Sequence, residues 1–190
     1  MTIGYVFGYG SLVNRRTHAY ADAVPVRLSG WRREWRHTAL RPVAFLTAVP
    51  DPDAEIDGLM ARVEPPQWTD LDLRERAYDR VPALAIQHPL PHRPEVHVYT
   101  IPSGKHGAVR AAHPVLLSYV DVVVQGYLAE FGETGVARFF ETTRGWDAPI
   151  AADRARPLYG RHQMLTPSEC ELVDFHLAQR GCRLVVPPEL

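Results

Sequence analysis

Pro114-Val115-Leu116-Leu117-Ser118-Tyr119-Val120-Asp121-Val122-Val123-Val124-Gln125-Gly126-Tyr127 is where the chain changes its kind of secondary structure. Leu116, Tyr119, Val123, Gly126 and Tyr127 share one helical face behind a proline suited to a first helical turn. Val136, Phe139 and Phe140 mark a second, shorter helix. A third begins at Thr166-Pro167-Ser168-Glu169, an N-cap threonine with a capping-box glutamate, and Gly181 is placed to end it. Residues 145–157, rich in Pro, Asp and Arg, read as an ordered connection. Upstream, short strand-like segments bounded by Gly, Pro or Asp occupy 4–8, 24–28, 31–38, 45–49, 57–63, 81–86 and 96–101. Between them, Pro65-Pro66 precedes Trp68, Leu71, Glu75 and Tyr78, again at helical spacing. Strands followed by helices predict an α+β fold, with a small, mixed, mainly antiparallel β-barrel surrounded by helices. Residues 1–190 are read as one domain with a helical C-terminal extension from about residue 113.

The 190 residues are 46% hydrophobic and 23% charged, enough apolar material for one sizeable core. A formal net charge of −1 provides no basic field to neutralise a phosphate backbone, so nucleic acid is excluded as the expected partner. Cys170 and Cys182 form no metal-ligand spacing and no disulfide framework, in keeping with a reducing, cytoplasmic compartment. The opening Met1-Thr2-Ile3-Gly4 lacks signal-peptide character and no run of about 18 apolar residues occurs, so no membrane partner is expected. A monomer acting on a small polar molecule is the simplest expectation.

Phe7-Gly8-Tyr9-Gly10-Ser11-Leu12 is the most unusual local sequence, with two glycines flanking a tyrosine where a buried strand turns into a loop. Glycine permits positive φ and close backbone approach, and successive N–H groups in such a turn form a cradle for a carboxylate, joined by the Ser11 hydroxyl. From these six residues alone, a tight turn without a ligand is the plainer reading. A dinucleotide site is excluded because Val13 stands where the third glycine belongs, and Ser11 does not lie in a nucleophile elbow. Glu75 shares the helical face of Trp68, Leu71 and Tyr78, where burial raises its basicity toward that of a general acid/base. Its structural alternative is a helix-end glutamate paired with Arg74 or Arg80. His88, His92, His97, His106 and His113 show no metal-ligand spacing and are read as solvent-exposed loop residues. Residues 31–37 interleave aromatic and basic side chains, as RNA-binding strands do and as half-buried strands also do.

These motifs together resemble the γ-glutamylcyclotransferase-like family, which includes the ChaC and AIG2-type proteins. The hallmark loop stands as Tyr9-Gly10-Ser11-Leu12 after Val6-Phe7-Gly8, and the glutamate motif as Leu71-Asp72-Leu73-Arg74-Glu75-Arg76-Ala77-Tyr78. Tyr119 is similar to the family's substrate-side tyrosine. Where ChaC proteins often carry a glycine pair after the glutamate, this chain has Arg76-Ala77. The resemblance implies a barrel with outer helices and a cofactor-free, metal-free cyclisation of a γ-glutamyl group to 5-oxoproline, releasing an amine, amino acid or Cys-Gly. It further implies Glu75 as the catalytic residue, and Tyr9, Gly10, Ser11, Leu12 and Tyr119 as substrate-binding residues. A non-catalytic member that binds a small ligand or a protein is the alternative.

Overall fold

The computed structural model describes residues 4–91, 93–107, 109 and 112–189. Strand β1 (Gly4–Gly8) is buried along its whole length. It pairs antiparallel with β3 (Phe45–Val63) and parallel with β6 (Glu95–Thr100), which accounts for its unbroken apolar run. β3 pairs antiparallel with β2 (Ala21–Arg36), which in turn holds β5 (Ile86–Gln87) at the edge, and β4 (Asp79–Pro82) lies outside β6. The order is β4-β6-β1-β3-β2-β5, and β8 (Thr143–Arg144) adds a seventh strand beside β2.

The α+β class and the mainly antiparallel sheet are as expected, but the barrel does not close. The end strands β4 and β5 are four and two residues long and are not paired with each other. Such short edges cannot supply the ladder that closure requires. Four expected strands are also halves of two: 24–28 and 31–38 merge into β2, and 45–49 and 57–63 into β3. A register shift between Ser29 and Trp31, with Gly30 at φ 79°, bends β2 without interrupting its pairing, so the turn residues there mark a bulge.

Helix α1 (Gln67–Arg74) follows Pro65-Pro66. Val115–Leu116 forms a short strand, β7, before α2 (Leu117–Thr142) begins. Gly132, at φ 65° and ψ −171°, breaks α2 into the two helices anticipated from the apolar spacing. Strands β9 (Ile150–Ala151) and β10 (Leu184–Val185) join β7 in a separate parallel sheet, so the connection after α2 is ordered. Helix α3 (Pro167–Gln179) carries the complete capping box of Thr166 and Glu169, and Gly181 follows its end at φ 65°. Phe7, Leu28 and Met60 of the large sheet share one core with Val123 and Phe139 of α2 and Val173 of α3.

Two smaller expectations need correction or completion. His88, His97, His106 and His113 are half-buried rather than solvent-exposed, and His92 lies outside the described residues. His97 sits within β6, and His106 Nε2 lies 2.6 Å from the Ala77 carbonyl, so these rings serve packing and local hydrogen bonding. Residues 31–36 form the half-buried end of β2, whose inward positions are Arg33 and Trp35, and His37 follows it.

Candidate functional site

The chain leaves β1 at Gly8 and enters a 3-10 turn at Ser11–Val13, closed by Val13 N–H to Gly10 O at 2.9 Å. The glycines serve close approach and not positive φ. A Cβ on Gly8 would lie 2.4 Å from Leu12 Cβ, and one on Gly10 would lie 2.5 Å from the Tyr119 hydroxyl. Gly10 sits at φ −122° and ψ −126°, so the donors of this loop are the leading amides of a 3-10 turn, which have no partner within the turn itself.

Packing from the second half of the chain holds the loop. Asn14 Nδ2 donates to Val122 O at 2.9 Å and Gln125 Oε1 at 3.0 Å, and Gly126 lets α2 come this close. Leu12 is buried in an apolar cluster with Val6, Leu71 and Tyr99. The Tyr9 carbonyl lies 3.0 Å from the Tyr127 hydroxyl, which accepts from Arg33 Nη1 at 2.7 Å. Arg33 is wholly buried with no carboxylate paired to it among the described residues; it also donates to Asp57 O, Thr142 and Thr143 and lies against the Tyr127 and Phe139 rings. Desolvation lowers its affinity for the proton, and Tyr127 and Asp57 act in the opposite direction. Sequence reading took this arginine only as part of an alternating strand; its inward register was the one available signal.

Glu75 does not share a helical face with Tyr78. Helix α1 ends at Arg74, and Glu75 is its C-cap, with its N–H bonded to Leu71 O at 2.9 Å. A turn then brings Tyr78 back, with Tyr78 N–H bonded to Glu75 O at 2.8 Å. The spacing therefore placed the two side chains correctly in one neighbourhood, through a turn and not through a continued helix. The Glu75 side chain is 16% exposed and Arg74 Nε lies 3.0 Å from its Oε1. Burial raises the Glu75 carboxyl above the ordinary glutamate range, and this outweighs the opposing pull of Arg74 and then Arg161. The carboxylate is thus paired with an arginine and still more basic than a free one. Arg74 also donates to Thr17 O at 3.0 Å and Ser11 Oγ at 3.2 Å, so one guanidinium ties Glu75 to the glycine loop.

Four tyrosines surround this carboxylate. Tyr9 donates to Tyr99 O at 2.5 Å, Tyr78 to Leu46 O at 2.9 Å, and Tyr99 to Asp72 Oδ1 at 2.5 Å. Tyr119 has no hydrogen-bond acceptor for its hydroxyl among the described residues, and it packs edge-on against Trp35 and Tyr159. Burial raises the Tyr9, Tyr78, Tyr99 and Tyr119 phenols, which keeps them protonated as donors.

A small inner pocket of about 30 Å³ is lined by the glycine loop, Glu75, Tyr78, Tyr99 and Tyr119. It adjoins an outer cavity of about 660 Å³, and Ser11, Leu46, Glu75, Tyr78 and Tyr119 belong to the walls of both. The structure therefore brings Tyr9, Gly10, Ser11, Leu12, Glu75 and Tyr119 to one place. Arg161 and Tyr159, which also line the outer cavity, had no sequence signal, because the segment carrying them matches no motif. Among the described residues no group of three or more His, Cys, Asp or Glu side chains could hold a metal ion, and no helix is long and apolar enough to cross a membrane.

A family model described as "ChaC-like protein" matches residues 4–145. No curated protein matches the sequence. Among solved structures, an uncharacterized protein from Homo sapiens is similar with a TM-score of 0.59 at 11% identity, covering 92% of this chain and 99% of that one. A structure named gamma-glutamyl cyclotransferase is similar at 0.57 and 11% identity, covering 91% and 99%. YkqA from Bacillus subtilis is similar at 0.53 and 18% identity, covering 76% of this chain and 57% of its own. At these identities the likeness is one of fold.

Proposed function

As the chain belongs to the ChaC-like protein family, we propose that it is a γ-glutamylcyclotransferase that converts a γ-glutamyl compound to 5-oxoproline and a free amine. The observation that carries this reading is the place of Glu75, a carboxylate of raised basicity in the wall shared by a tight pocket and a wider cavity, opposite the glycine loop. The similar structure named gamma-glutamyl cyclotransferase supports it.

The chemistry is an intramolecular aminolysis. The substrate α-amine attacks its own γ-carbonyl carbon, the bond from that carbon to the leaving nitrogen breaks, and no water is consumed. Glu75 accepts the proton that the attacking amine must lose and returns it to the departing amine. The leading amides of the Ser11–Val13 turn and the Tyr119 hydroxyl supply donors for the substrate α-carboxylate and for the oxygen on which charge develops. The inner pocket and the adjoining wall of the outer cavity together hold the γ-glutamyl chain curled, which brings amine and carbonyl together. Arg74 acts as a positioning residue, since it bonds both Ser11 and Glu75. The whole chain acts as one unit, in which the helical part from about residue 113 contributes Tyr119. A reducing cytoplasmic setting suits the two free cysteines, Cys170 and Cys182.

The Arg74–Glu75 ion pair favours a second reading, a non-catalytic member that binds a small γ-glutamyl ligand or a protein. One experiment separates the two. 5-Oxoproline release is measured across glutathione, γ-glutamyl amino acids and γ-glutamylamines for wild type and Glu75→Gln. Product from wild type, reduced about 10²–10⁴-fold in the variant, supports the enzyme. No product from folded wild type over the whole panel supports the binding protein.

A further inference from the structure

The outer cavity carries more positive charge than the proposed cyclisation uses. Its wall holds Arg41, Arg74, Arg76 and Arg161 against a single acid, Glu75. Arg74 is committed to Glu75, Ser11 and Thr17. Arg41, Arg76 and Arg161 are exposed, and among the described residues none of their guanidinium groups makes an ion pair or hydrogen bond. Elsewhere some arginines are paired, as Arg15 is with Glu130 and Arg154 with Asp121 and Asp174, and others, such as Arg156 and Arg180, form no ion pair among the described residues. What sets the cavity apart is that its arginines share one concave wall. The net charge of the whole chain is −1, whereas the wall of this cavity alone carries four arginines and one acid.

We infer that the outer cavity receives a leaving group bearing at least two carboxylates, so that the substrate is a γ-glutamyl derivative of an acidic amino acid or acidic peptide. The inference rests on the reading of Glu75 and the glycine loop as the reaction centre. With the reacting end of the γ-glutamyl head at the inner pocket and the rest of it against Ser11, Glu75 and Tyr119, the outer part of the larger cavity falls to the portion beyond the scissile bond. One guanidinium fork matches one carboxylate, so a neutral amino acid with a single α-carboxylate leaves most of this charge unmet. A leaving group with a second carboxylate engages two of the three arginines, while Val43, Phe45, Leu116 and Leu158 offer apolar wall to its methylenes. A cationic amine is repelled by the same three groups.

The test uses γ-glutamyl-glutamate, γ-glutamyl-alanine and γ-glutamyl-butylamine, read in two ways. Turnover is kcat/KM for 5-oxoproline with wild type at low and high salt, and with Arg41→Gln/Arg76→Gln/Arg161→Gln. Binding of the same three compounds is measured by calorimetry to Glu75→Gln, with and without the arginine substitutions. The expected result is a preference for γ-glutamyl-glutamate of about tenfold or more over both γ-glutamyl-alanine and γ-glutamyl-butylamine, which falls toward one at high salt and in the arginine variant. Equal use of the glutamate and alanine compounds overturns the need for a second carboxylate. If the arginine variant does not fold, the salt dependence in wild type still decides. Turnover of all three with equal kcat/KM overturns the assignment of the cavity and leaves the cyclisation intact. No turnover, with selective binding of the acidic dipeptide, overturns the cyclisation and upholds the cavity as an anion site. Neither turnover nor selective binding overturns both.

Discussion

Glu75 and Asp153 are both sequestered carboxylates with an arginine beside them in sequence, Arg74-Glu75 in one place and Asp153-Arg154 in the other. Asp153 is 1% exposed and its two oxygens accept from Ser118 N–H at 2.8 Å, Ser118 Oγ at 2.5 Å and Leu158 N–H at 3.0 Å. These donors are neutral and include an amide of the first turn of α2, where a negative charge is favoured. The adjacent Arg154 turns away to Asp121 and Asp174, joining α2 to α3. Glu75 instead sits at the opposite end of a helix, keeps Arg74 3.0 Å from one oxygen, and opens onto two cavities. A carboxylate whose acceptor capacity is filled by fixed neutral donors serves as a clamp. One that burial makes more basic and that faces open space is suited to proton transfer.

The sharpest way to break this contrast is to neutralise each carboxylate in turn. Glu75→Gln should cut 5-oxoproline formation by about 10²–10⁴-fold without lowering the denaturation midpoint, because a desolvated carboxyl is exchanged for a neutral amide of equal size. Asp153→Ala should lower stability by about 3 kcal/mol in urea denaturation, since Ser118 and Leu158 are left with buried donors and no acceptor. A stable Asp153→Ala protein would remove the clamp from the comparison.

A pH series separates the two groups further. The folded protein holds the Glu75 proton more tightly than the unfolded chain does, so the associated stability is complete below the ordinary glutamate value of 4.5 and is lost as pH rises through the folded value. Wild type should therefore lose ground against Glu75→Gln as pH is raised from 4.5, and the acid limb of the rate profile should have its midpoint above 4.5. Parallel stability curves for the two proteins would mean that the Arg74 pair cancels the burial. The smallest effect is expected from Ser118→Ala, about 1 kcal/mol, because Asp153 keeps two of its amide donors. Denaturant midpoints at constant m-value check it.

Much of the local structure is legible in the sequence. The Thr166 capping box, the two helices on either side of Gly132, and the glycine loop after β1 depend on residues within a few positions of one another, and such contacts leave periodic or motif-like traces. The same is true of Glu75 and Tyr78, whose shared neighbourhood survived even though α1 stops at Arg74. The breaks at residues 29–30 misled because a turn residue and a bulge residue look alike when the partner strand is unknown.

The sequence by itself determined the α+β class, most element types and the glycine loop, set by short-range spacing and composition, while for Glu75 it left an acid/base and an arginine-paired glutamate both open. Tertiary structure alone decided that the sheet stays open, that Arg33 is buried beneath the Tyr9 carbonyl, that Arg161 joins the wall around Glu75, and that Asp153 is saturated while Glu75 is not. Burial, cavity shape and the charge around a group are sums over neighbours that lie far apart in the chain, and no local pattern of residues records them.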